Sequence, residues 1–99
     1  MYKELANVQL DGCKRSFVFS NSGEWKIKVA LEPWAAEIDV NVQSSVEILL
    51  PEHFDGHLEF AEYQNNERLI GANADFMIVI LDGKVVANLP EHFPEASSI

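Results

Sequence analysis

The chain has a single cysteine, Cys13, and only seven lysines and arginines in 99 residues. One thiol excludes an internal disulfide, and no base or helix start flanks Asp11-Gly12-Cys13 to activate it as a nucleophile. The few basic residues stand against sixteen acidic ones, giving a net charge of −9. That balance repels phosphate backbones, and a nucleic-acid binder needs a basic stripe instead. Direct binding of DNA or RNA is therefore not expected. An apolar run of membrane-spanning length is also missing. The longest, Phe76-Met77-Ile78-Val79-Ile80-Leu81, has the length of a strand. Met1-Tyr2-Lys3-Glu4-Leu5 lacks the basic segment and apolar block of a secretory signal, so the expected location is cytoplasmic. The sequence has no Gly-rich phosphate loop, no Gly-x-Ser-x-Gly elbow and no Cys-x-x-Cys, and it implies no cofactor.

What is present is alternation with a period of two. It is clearest in Trp25-Lys26-Ile27-Lys28-Val29-Ala30-Leu31 and in Ile38-Asp39-Val40-Asn41-Val42, which read as strands with one wet face. Paired as a hairpin about Glu32-Pro33-Trp34-Ala35, they set Ile27 against Ile38, Trp25 against Val40, Lys28 against Glu37 and Lys26 against Asp39. This register puts apolar pairs on one side and opposite charges on the other. It also assigns Trp25 to the core. Further strands are expected at residues 5–10, 15–19, 46–50, 58–63, 69–70, 76–81 and 85–87, separated by turn formers such as Asp11-Gly12, Asn21-Ser22-Gly23 and Asp82-Gly83. The unbroken apolar run at 76–81 predicts a central strand covered on both sides. Residues 1–8 can open with a helical turn, and 65–74 suits either a short helix or a weak strand. The expected fold is all-β: a single antiparallel two-layer sandwich, with a small β-barrel as the alternative and at most one or two short helical turns. One domain covers residues 1–99, and 94–99 is expected to be a loosely ordered tail.

One phrase occurs twice, Leu50-Pro51-Glu52-His53-Phe54 and Leu89-Pro90-Glu91-His92-Phe93, each after an aliphatic run. Proline fixes the backbone and removes a ladder donor, so each copy reads as a strand exit whose Phe folds back over the core.

Among candidate sites, His53 and His57 have the spacing of a zinc-gripping pair, but Asp55-Gly56 between them favours a turn over a helix. His92, with an acid such as Glu52, Asp55, Glu59 or Glu91, would have to complete the set; these histidines are weak metal candidates. His57 and Glu59 share a strand face with Ala61 and Tyr63. Trp34, next to Pro33, either packs over the sheet end or projects as an anchor. No catalytic residue is assigned. The composition points to a non-enzymatic acidic protein-binding module, of inhibitor or immunity type, docking on a basic protein through Trp34, Glu37, Asp39, His57, Glu59 and Tyr63. Two alternatives are a self-assembling structural subunit, as a homo-oligomer or phage-type assembly component, and a small metal-dependent or hydrolytic enzyme.

Overall fold

The computed structural model describes residues 4–94, which form eight strands and no helix. In chain order these are β1 (Cys13–Ser20), β2 (Ile27–Glu32), β3 (Ala36–Val40), β4 (Ser45–Pro51), β5 (Leu58–Tyr63), β6 (Glu67–Ala72), β7 (Met77–Leu81) and β8 (Lys84–Leu89). They make two four-stranded sheets, ordered β1-β4-β7-β8 and β3-β2-β6-β5. The architecture is a two-layer sandwich, and neither sheet closes into a barrel.

The core lies between the layers and follows from the alternation. Val29, Leu31, Ile38, Val40 and Ile70 enter it from one sheet, and Val46, Ile48, Leu50, Met77, Val79 and Leu89 from the other, all fully buried. Each buried aliphatic side chain contributes roughly 1.5–3 kcal/mol of transfer free energy, so this inward set decides which side of each strand faces water.

The sheet is not antiparallel throughout. β2 pairs β3 antiparallel but pairs β6 in parallel, with Leu31 beside Ile70 and Ala30 beside Leu69. A hairpin fixes direction only between consecutive strands. The second neighbour of β2 is reached after the chain has crossed to β4 in the other sheet and returned through β5, so its direction is set by topology.

The β2–β3 hairpin forms with a register two residues away from the expected one. Ile27 faces Val40, Lys28 faces Asp39, Val29 faces Ile38 and Ala30 faces Glu37. The reason is the connection: Leu31 pairs with Ala36, leaving residues 32–35 to turn, with Ala35 at a φ of 56°. A slide of two preserves every inward and outward assignment while changing every partner. Trp25 then falls beyond the start of β2 and is 67% exposed instead of entering the core.

β7 is central, between β4 and β8, as its apolar run predicts. Its inner residues Met77 and Val79 enter the core, while Ile78 on the opposite side is only 3% exposed. Residues 4–10 lie near that outer side. They form no strand, but the Leu5 N–H donates to Val85 O at 2.7 Å, and Gln9 lines a groove with Ile78 and Asn88. The helical turn considered for residues 1–8 is absent over 4–8, and residues 65–74 contain strand β6.

Asp82 and Gly83 turn β7 into β8 with both φ angles positive, 50° and 84°. The Asp82 carboxylate accepts the Ser45 N–H at 2.8 Å and Ser45 O accepts the Asp82 N–H at 2.9 Å, tying this turn to the start of β4. The first Pro-Glu-His-Phe exit behaves as expected: Pro51 ends β4, and Phe54 packs against the core. The second also ends its strand, since β8 stops at Leu89 just before Pro90, but its Phe does not fold back. Asn88, within β8, exchanges backbone hydrogen bonds with His92 beyond the strand's end, and Phe93 stays 52% exposed past that tight loop. Of the expected loose tail, residues 95–99 lie outside the described residues.

Two outcomes test this packing. Ile38→Ala, which empties a fully buried site, is expected to cost about 2–5 kcal/mol in urea unfolding, whereas Val42→Ala at an exposed loop position stays within about 0.5 kcal/mol. Hydrogen bonds from the Ser45 backbone and the Ser44 side chain hold the Asp82 carboxyl below its ordinary pKa. Its contribution is present above the ordinary carboxylate pKa and is lost as pH falls through the lowered one. Asp82→Asn should therefore destabilise at neutral pH, and its deficit should shrink in acid, measured by denaturation across a pH series.

Candidate protein-binding face

Strand pairing brings together residues that are far apart in sequence. On the outer side of the β3-β2-β6-β5 sheet, the register sets Asp39, Lys28, Glu67 and Tyr63 in one row. The next row holds Glu37, Ala30, Leu69 and Ala61, and the third holds Glu32, Gly71 and Glu59. Five carboxylates, from Glu32, Glu37, Asp39, Glu59 and Glu67, thus share a face with one lysine from the strands themselves. Lys26, just outside β2, reaches Asp39 with Nζ 3.8 Å from Oδ2. An exposed pair at that separation is worth at most about 1 kcal/mol and leaves the face acidic.

Between the carboxylates runs a low stripe of Ala30, Ala61 and Gly71, with Leu69 among them. At Gly71, an added Cβ would sit 3.6 Å from Glu32 Cβ and from Leu69 Cδ2. That is ordinary contact, so the site would accept alanine.

Of the residues singled out from sequence, Glu37, Asp39, Glu59 and Tyr63 come to this one face. His57 immediately precedes β5 and is exposed at its end. Trp34 does not join them: it is half-buried and packed against the core from the β2–β3 turn. Glu32 and Glu67 were not picked out from the sequence. Their signal is parity within β2 and β6, which becomes readable only once the parallel pairing of those strands is known.

His53, His57 and His92 are all exposed, and among the described residues no three His, Cys, Asp or Glu side chains gather as a metal group. His53 and His57 lie in the β4–β5 connection, and His92 follows β8. No membrane-spanning helix occurs among the described residues.

The Cys13 thiol donates to Leu10 O at 2.7 Å. Burial pushes its pKa up, and the carboxylates of Asp11 and Glu52 push it further the same way. Both effects disfavour the thiolate that nucleophilic chemistry requires.

Searches against protein-family models, curated proteins and solved structures found no match to this chain. Its chemistry is accordingly read from its own surfaces.

For Cys13, the expected outcome is slow alkylation by iodoacetamide at neutral pH, with a rate that climbs only above the pH at which a free thiol ionises. Rapid labelling near pH 7 would contradict the raised pKa.

Proposed function

We propose that this chain is a non-enzymatic protein-binding module whose acidic sheet face docks on a basic protein, in the manner of an inhibitor or immunity protein acting in the cytoplasm. The observation that carries the reading is the composition of the outer β3-β2-β6-β5 surface: five carboxylates around an uncharged stripe of Ala30, Leu69, Ala61 and Gly71. Carboxylates on an open sheet steer a cationic partner and favour its correct orientation. The uncharged side chains between them give the partner an apolar strip from which water can be excluded.

The same charge weighs against self-assembly through this face. Two copies meeting there would oppose like charges over the whole patch, a cost that any contact between copies would have to overcome. The edges at β1, β3, β5 and β8 remain the places where a copy would add.

The test compares two triple variants of equal charge change in affinity capture from native lysate at about 50 mM and about 300 mM salt. Glu37→Gln/Glu59→Gln/Glu67→Gln strips the face. Asp11→Asn/Asp75→Asn/Glu91→Gln removes three charges elsewhere. The wild type should retain a basic protein at low salt and release it at high salt; the face variant should lose about tenfold or more of that binding, and the control should keep it. Equal loss in both variants, or no salt-sensitive basic partner, contradicts the reading.

A further inference from the structure

Trp25 is the most exposed of the large hydrophobic residues described, at 67%. It does not sit on a slack loop. Residues 21–25 cross the open end of the sandwich from β1 to β2, and the buried side chain of Asn21 brackets them. Its Nδ2 donates to Trp25 O at 2.8 Å and to Val40 O at 3.0 Å, while its Oδ1 accepts the Gly23 N–H at 3.1 Å. Asn21 is the one buried polar residue among those described, and three of its four side-chain hydrogen-bonding capacities go into this bracket. The indole is thus presented from a fixed backbone, the arrangement that makes an aromatic anchor effective.

Beside it, between the two sheets, opens a groove of about 310 Å³. Trp25, Phe19 and Phe60 supply its aromatic walls, and Glu24, Glu62 and Arg68 its charges. The Phe19 and Phe60 rings stand 5.6 Å apart at 50°, in a tilted contact that fixes the floor. Arg68 points inward with its side chain 19% exposed, and its Nε lies 3.3 Å from Glu62 Oε2. That distance makes an ion pair, but the alignment is wrong for a hydrogen bond, and Nε makes none.

The charges decide which ligand fits. Two carboxylates face one guanidinium, so the groove is negative overall. An anion would have to displace Glu62 from Arg68 and then face Glu24. A cation meets two carboxylates and the electron-rich face of an indole, which attracts it. A planar guanidinium satisfies both features, stacking on the ring while its N–H groups reach a carboxylate. The volume suits one long side chain and little more.

We propose that this groove is an anchor pocket for a single arginine side chain of the partner, with Trp25 as its stacking wall and Glu62 as its principal counter-charge. Glu62 and Asn66, which line it, flank Tyr63 and Glu67 at one end of the acidic face, so a protein seated on that face reaches the groove without a break. Only the origin of the arginine, a docked basic protein, rests on the function proposed above. The pocket's preference for a guanidinium stands on its own geometry.

The test titrates the full chain with Nα-acetyl-L-arginine amide while following the two indole N–H signals by ¹⁵N NMR, assigned with Trp25→Phe. The Trp25 signal should shift saturably, with an affinity on the order of millimolar for so small a ligand, and the Trp34 signal should stay still. Glu62→Gln should weaken the interaction about threefold or more. Nα-acetyl-L-aspartate amide should leave both signals unmoved. The face variant Glu37→Gln/Glu59→Gln/Glu67→Gln should titrate like the wild type, so lost partner capture in that variant reports on the face while this titration reports on the groove. The pocket is overturned by the absence of a saturable Trp25 shift, by an equal response at Trp34, by a matching shift from the anionic probe, or by loss of the arginine shift in the face variant.

Discussion

The whole arrangement depends on one constraint, the contact between the two inner faces of the sandwich. Once Val29, Leu31, Ile38, Val40 and Ile70 are committed to that contact, the period-two geometry of a strand leaves no choice for their neighbours. Lys28, Ala30 and Glu32 of β2 must point outward, as must Glu37 and Asp39 of β3. The acidic face is therefore a consequence of how the core is filled. Its charge accumulates because the three outward rows are contributed by strands that carry carboxylates at the same parity.

Local patterning made much of this legible. The alternation in β2 and β3 announced both strands and the sides they present, and Asp82-Gly83 announced a two-residue turn by supplying two residues that tolerate positive φ. The unbroken run of β7 announced a strand buried on both sides. What lay outside the sequence is equally specific. The parallel β2–β6 pairing joins strands separated by an excursion into the other sheet, so no hairpin signal encodes it. The two-residue slide of β2 on β3 turns on Ala35 adopting a left-handed conformation, a choice that alanine does not advertise. Residues 5–10 alternate like a strand and yet form none, contributing a single described backbone bond to β8 through Leu5.

The candidate site divides along the same line. Glu37, Asp39, Glu59 and Tyr63 were identifiable as outward residues from parity alone, but their meeting on one face required the sheet order. The aromatic reading left Trp34 either packed over the sheet end or projecting as an anchor and placed Trp25 in the core; the structure packs Trp34 and exposes Trp25. Trp34 follows its turn back onto the core, whereas Trp25 lies two residues before β2 and is held outside by the Asn21 bracket. Alternation predicts burial only while a residue remains within its strand. The paired Pro-Glu-His-Phe segments, identical in sequence, both end a strand but place their phenylalanines differently, and the second alone has its His bridged back to its strand, through Asn88–His92.

The central claim is that β2 sits between β3 and β6 in a register that turns these carboxylates outward together. Long-range NOE contacts across β2 test it most directly. The account predicts contacts from Val29 to Ile38 on one flank and from Ala30 to Leu69 on the other, with the pattern of a parallel pair between β2 and β6. Contacts from Val29 to Glu37, which would slip the pairing by one and drive a carboxylate into the core, or an antiparallel β2–β6 pattern, would contradict it.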